Sequence, residues 1–113
     1  MSRPTGLAPE GWTGPQWQVD QAFARHVLQV QYVDRLVGAL LDKLRERGVF
    51  DQAVIVVAAD HGASFRSGEP RRPANAANIG DIAPVPLFVK YPGQRKGRVD
   101  ERSVRTVDVL PTI

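Results

Sequence analysis

The chain contains no cysteine. Disulfides, thiolate metal sites and cysteine nucleophiles are therefore excluded from it, and its composition leaves the redox compartment open. It also lacks any apolar run approaching the roughly 20 residues that cross a bilayer. The opening MSRPTGLAPEG has no apolar centre of the kind a signal peptide needs. Aromatic residues make up only 7% of the chain, and none interleave with the basic residues as they do on nucleic-acid-binding surfaces. Nucleic acid is therefore not expected as a partner, whereas a small anionic substrate suits the net charge of +3. No internal repeat or low-complexity tract is present.

What the sequence does hold is organised. Its 113 residues suffice for one small domain, and apolar and charged contents of 42% and 24% are those of a globular chain. Residues 1–16 carry three of the nine prolines and read as an irregular lead-in, to be followed by a domain over 17–113. Trp12 and Trp17 are expected to anchor that lead-in against a helix. Val19, Phe23, Val27, Val30, Val33, Val37, Leu40 and Leu44 recur at three- and four-residue intervals and predict an amphipathic helix from Trp17 to Arg47. Gly48 is its expected terminator. Ala53 to Ala59 then predicts a strand apolar on both faces, and Val85 to Tyr91 a second strand. The stretch between them shows no helical period and is expected to be a functional loop. Thr106 is placed to cap a short helix containing Pro111. One helix and two strands cannot cover a two-sided apolar strand, so the chain is expected to be part of a larger domain, with Met1 an added start.

The first strand runs into Asp60 and His61. In layered α/β sheets ligands collect where strands exit into loops. Neighbouring side chains of an extended strand point to opposite faces, so Gly62 is expected to supply the bend that lets both residues serve one site. A carboxylate beside an imidazole is a mixed oxygen/nitrogen donor set, better suited to zinc, manganese or iron than to all-oxygen ions. The plainer alternative is an Asp-His pair that caps a turn. His26, beside the helical stripe, reads as a packed histidine. Arg66, Arg71 and Arg72 are surface arginines whose guanidinium forks would also suit phosphate or sulfate oxygens.

Taken in order, QVQYVDRLVGALLDKLRERGVFDQAVIVVAADHG, VPLFVKYPGQRKGRV and VRTVDVLPTI resemble the latter part of the catalytic domain of the sulfatase family, within the alkaline phosphatase superfamily. The chain also resembles the membrane-sulfatase-like proteins of actinobacteria. The resemblance rests on Tyr32 and Asp34 in the helix, Gly48, the strand into Asp60-His61-Gly62, the stretch Val85 to Pro92, and Val107 to Ile113. It implies an α/β fold, a fragment of an alkaline-phosphatase-like α/β/α sandwich with a long amphipathic helix followed by buried strands. It further implies a sulfuric- or phosphoric-ester hydrolase or transferase acting on an anionic ester, with Asp60 and His61 helping to hold a divalent metal ion (manganese, zinc or calcium). The family nucleophile lies upstream of this region, and Thr5, Thr13 and Ser64 match no part of the family pattern. The chain alone is thus expected to be inactive, within a parent that is membrane-anchored and extracytoplasmic. Exposed sheet edges would favour homo-oligomers. Two other readings compete: a non-catalytic interaction module with a degenerate sulfatase-like fold, and a basic domain binding polyanions.

Overall fold

The computed structural model describes residues 7–8 and 11–113. Half of the predicted lead-in, Thr5 included, lies outside the described residues. The elements are β1 (Leu7–Ala8), β2 (Gly11–Trp12), α1 (Gln16–Glu46), β3 (Ile55–Ala58), α2 (Ile79–Ile82), β4 (Leu87–Lys90) and α3 (Val109–Thr112), with 3-10 turns at Phe50–Gln52 and Thr106–Asp108. This is the expected α/β fragment: a long helix, then the strands of a small open sheet.

The helix α1 has 31 residues and so runs for about 46 Å. It stops where the sequence says it should. Gly48 adopts φ +70°, a left-handed conformation that favours glycine. The Val49 N–H reaches the Leu44 carbonyl at 3.0 Å and the Gly48 N–H the Arg45 carbonyl at 2.9 Å. These two bonds are a Schellman termination, and they satisfy carbonyls that the helix end would otherwise leave bare. Of the apolar stripe, Val19 is fully buried, whereas Phe23, Val30, Val33, Leu36 and Leu40 are each about half exposed. A stripe of this kind forms to be buried against a sheet or another helix. Its exposure is that of an incomplete layer.

The chain divides into two compact units, each drawn from two stretches: the first ends its opening stretch at Val37 and resumes over His61–Val85, the second comprises Gly38–Asp60 and Pro86–Ile113. In the first unit, β1 and β2 pair antiparallel, Leu7 opposite Trp12. Phe65 is the centre of its packing, with ring centroids 5.6 Å from Trp12, 5.2 Å from Phe23 and 5.3 Å from His26. Trp12 is thus an anchor, but against Phe65 and Ser64 on the loop. Trp17 is not one: it is 57% exposed.

In the second unit β3 and β4 pair antiparallel, with Ile55 opposite Lys90, Val56 opposite Val89, Val57 opposite Phe88 and Ala58 opposite Leu87. Both strands are shorter than predicted. The Ala53 N–H is taken by the 3-10 turn, bonding the Val49 carbonyl at 3.0 Å, so β3 begins later. Pro84 and Pro86 have no N–H to donate, so β4 begins at Leu87. Val54, Val56, Leu87 and Val89 line one face, which meets Val104 and Val109 around an open apolar cleft of about 110 Å³. The Lys90 ammonium donates to the carbonyls of Phe50 and Ala53. It also lies over the Phe50 ring at 4.6 Å, and the Arg45 guanidinium lies 4.4 Å from the same ring. At the C-terminal turn the cap is not Thr106: the Arg105 N–H donates to the Asp108 carboxylate at 3.0 Å.

Candidate functional site

Asp60 follows the end of β3 at a bend and is exposed; His61, also exposed, opens the second stretch of the first unit. The His61 Nδ1 lies 2.7 Å from the Gly62 carbonyl oxygen. A carbonyl only accepts, so in the neutral ring Nδ1 carries the proton and Nε2 the lone pair. That is the state in which metal-bound histidines are held, one nitrogen on the ion and the other donating to an oxygen. Taken one by one, a carboxylate and an imidazole are donor types that divalent ions such as zinc and manganese accept. Among the described residues no group of three or more His, Cys, Asp and Glu is placed to hold a metal ion.

The reason for Gly62 differs from the expected one. Its φ is not in the left-handed region; among the described residues, the glycines so placed are Gly11, Gly48, Gly68 and Gly93. Gly62 instead lies against the Asp81–Ile82 main chain. Its N–H donates to the Ile82 carbonyl at 2.7 Å, and a Cβ at this position would stand 2.0 Å from the Asp81 carbonyl oxygen. The residue is small because backbone meets backbone here.

Two residues beyond, Ser64 is fully buried. Its N–H donates to the Arg71 carbonyl at 2.9 Å, its carbonyl accepts the Trp12 indole N–H at 2.7 Å, and its hydroxyl donates to Asp81 at 3.0 Å. A hydroxyl so committed is a structural group, not an exposed nucleophile. The other oxygen of Asp81 accepts from Arg66 at 2.7 Å. The Arg66 guanidinium above all, aided by the Ser64 hydroxyl and opposed by partial burial, holds the Asp81 carboxyl below its ordinary value of 3.8. Ionised Asp81 therefore stabilises the fold at neutral pH, and this contribution is lost as pH falls below that value through the lowered one. Acid denaturation between about pH 5 and pH 2 should accordingly be shallower in Asp81→Asn than in the wild type, followed by circular dichroism.

The three arginines end in different situations. Arg66 is paired with Asp81. Arg71 lies 6.0 Å from both the Trp12 and Phe65 rings, with its Nε buried and without a hydrogen-bond partner. Arg72 is exposed. The loop also contains α2, which the absence of helical periodicity had hidden, and Asn78, fully buried before it. The Asn78 amide donates to the carbonyls of Pro70 and Pro73, each at 3.0 Å, and accepts the Asn75 N–H at 2.7 Å. Sequence reasoning missed Ser64, Asn78 and Asp81. The one available signal was compositional: polar residues spaced among prolines in a loop too long to be unstructured.

A long helix turning through a glycine into an apolar strand, with a carboxylate and an imidazole at the strand's exit, defines an α/β chain cut from an open, layered sheet. Comparison with known proteins gives the particular family: the Sulfatase family model matches residues 6–113, and the chain belongs to the sulfatase family. It is 31% identical over 81 residues to an endo-4-O-sulfatase of Bacteroides thetaiotaomicron, covering 72% of this chain and 16% of that protein. It is 33% identical over 104 residues to the N-sulphoglucosamine sulphohydrolase of Homo sapiens, covering 88% and 20% respectively. Similarity extends to lipoteichoic acid synthase 1 of Bacillus subtilis, 29% identical over 100 residues, covering 83% of this chain and 16% of that protein. The chain thus spans a fifth or less of the length of these relatives. No solved structure gives a significant match.

Proposed function

We propose that residues 17–113 are part of the catalytic domain of a metal-dependent sulfuric- or phosphoric-ester hydrolase or transferase, to which Asp60 and His61 contribute two metal ligands. The observation that carries this reading is a histidine following an aspartate at a strand exit of a sulfatase-family chain, its ring Nδ1 2.7 Å from the Gly62 carbonyl oxygen. When bound, the ion would supply Lewis-acid polarisation of the ester oxygens and offset charge developing on them. The Asp60 carboxylate would lower the net charge of the site, and the Gly62 carbonyl would hold the imidazole in its ligating tautomer. Arg66, Arg71 and Arg72 carry guanidinium forks suited to an anionic ester, Arg66 while also paired with Asp81. The nucleophile belongs to a part of the polypeptide outside this segment. Relatives named as sulfatases and as a lipoteichoic acid synthase support keeping hydrolysis and group transfer within one reading.

A parent that is membrane-anchored, extracytoplasmic and akin to actinobacterial sulfatases belongs to the same proposal on the strength of the sequence resemblance. No helix among the described residues is long and apolar enough to cross a membrane. In a polypeptide joining this segment to its nucleophile, Asp60→Ala should lower turnover of p-nitrophenyl sulfate or phosphate by more than about 100-fold, the upper end of what loss of a ligand's supporting partner costs. Unchanged turnover would remove Asp60 from the metal site.

A further inference from the structure

We propose that residues 94–105 form a docking surface for a sulfated polysaccharide. The span lies wholly within the second unit. It holds five of the chain's fifteen basic residues (Arg95, Lys96, Arg98, Arg102 and Arg105) and only two of its twelve acidic ones, Asp100 and Glu101. The ten basic and ten acidic residues elsewhere balance, so the net charge of +3 belongs to this span. A chain whose excess charge is gathered in one stretch directs polyanions to that stretch.

The charges are presented by a braced turn. The Gly93 N–H donates to the Asp51 carbonyl at 2.7 Å, and the Gln94 side chain accepts the Tyr91 N–H at 3.0 Å while donating to the Lys96 carbonyl at 2.9 Å. Beyond it, the side chains of Arg95, Arg98, Arg102 and Arg105 are 74–79% exposed, and Lys96 is exposed too. Arg98 and Arg102 converge, donating to the same Oδ2 of Asp100 at 3.0 and 2.6 Å. One carboxylate cannot neutralise two guanidiniums, and Arg98 meets it through a single nitrogen, so the rest of that fork is available to a second oxyanion. Arg95 meets Asp51 at 3.3 Å with both side chains more than half exposed. Ion pairs so exposed contribute little, and an incoming anion displaces them at small cost.

The composition of the span selects the partner. Four of its five cations are arginines, whose weakly hydrated forks match the weakly hydrated oxygens of a sulfate ester better than an ammonium does. The span has no aromatic side chain on which a base could stack, which disfavours nucleic acid. Val99 and Val104 are its only large apolar side chains, and Val104 lines the cleft beside β3 and β4. The span therefore lacks the Trp, Phe or Leu anchors of a membrane-surface segment, and Asp100 and Glu101 in its middle would be repelled by anionic lipid.

The test is binding of the 113-residue chain to dextran sulfate at neutral pH, with uncharged dextran as control and a chelator present, so that the outcome does not depend on the metal reading of Asp60 and His61. Affinity should fall by more than about tenfold between about 50 and 200 mM salt, as released counterions require. The double variant Arg95→Gln/Lys96→Gln should weaken binding about tenfold at about 150 mM salt, and adding Arg98→Gln should weaken it further. Arg25→Gln/Arg35→Gln removes the same charge from exposed positions of α1 and should leave binding nearly unchanged. All of these side chains are exposed, and circular dichroism checks that the variants keep the fold. Equal losses in the two double variants, or no loss in Arg95→Gln/Lys96→Gln, overturn the proposal. Tighter binding at equal salt to duplex DNA, or to vesicles of phosphatidylserine and phosphatidylcholine, overturns it in favour of that partner.

Discussion

Gly62→Ala should destabilise the chain by more than about 3 kcal/mol, an effect at the upper end for overpacking because the obstacle is main chain. The new Cβ would stand 2.0 Å from the Asp81 carbonyl oxygen and 3.1 Å from that of Ile82. No rotamer relieves such a clash. Either the 61–66 segment or α2 has to move by more than an ångström, and the 2.7 Å bond from the Gly62 N–H to Ile82 goes with it. Gly38 in the middle of α1 is the control: a Cβ there meets nothing within 4 Å, and alanine should stabilise the helix by roughly 0.5–1 kcal/mol. Urea denaturation of the two variants should therefore move in opposite directions. A Gly62→Ala midpoint equal to the wild-type value would contradict the backbone contact on which the site's geometry depends.

The second large effect is expected at Asn78. Its side chain is fully buried, and its amide nitrogen faces two carbonyl oxygens, those of Pro70 and Pro73. Asn78→Asp keeps the shape and reverses the chemistry. An ionised carboxylate oxygen facing two carbonyls is repelled by both and has lost its solvent. A protonated one has a single O–H for two acceptors. We expect a loss of about 4 kcal/mol at neutral pH, in the range for a broken buried polar network. The buried carboxyl would have a raised pKa, so the deficit relative to wild type should shrink as pH falls through the raised value toward the ordinary carboxylate range. Denaturation midpoints of both proteins at about pH 7 and pH 5 would show it. A deficit that grows on acidification would mean that this position is not enclosed.

These two residues mark the boundary of what the sequence made legible. The long helix, its glycine stop and both strands followed from periodicity and from the special conformations of glycine and proline, which are local properties. Asp60 and His61 stood out because an apolar run that reads as a strand ends beside them. Ser64, Asn78 and Asp81 could not be found that way. Each acts through bonds to main-chain or side-chain groups that the loop brings near only by folding, and no period or spacing encodes such bonds. Gly62 was singled out for a bend when its purpose is close approach, since a sequence shows that a side chain is missing but not what occupies its place. Trp17 shows the converse: an indole in the first turn of α1 is 57% exposed, so apolar character alone did not place it in the packing.

The central claim is that His61, with Asp60, ligates a divalent metal ion. Its most direct test is a calorimetric Mn²⁺ titration of the chain against His61→Ala, with circular dichroism confirming that both are folded. Weak but saturable binding in the wild type that disappears in His61→Ala is the expected result; superimposable titration curves would contradict it.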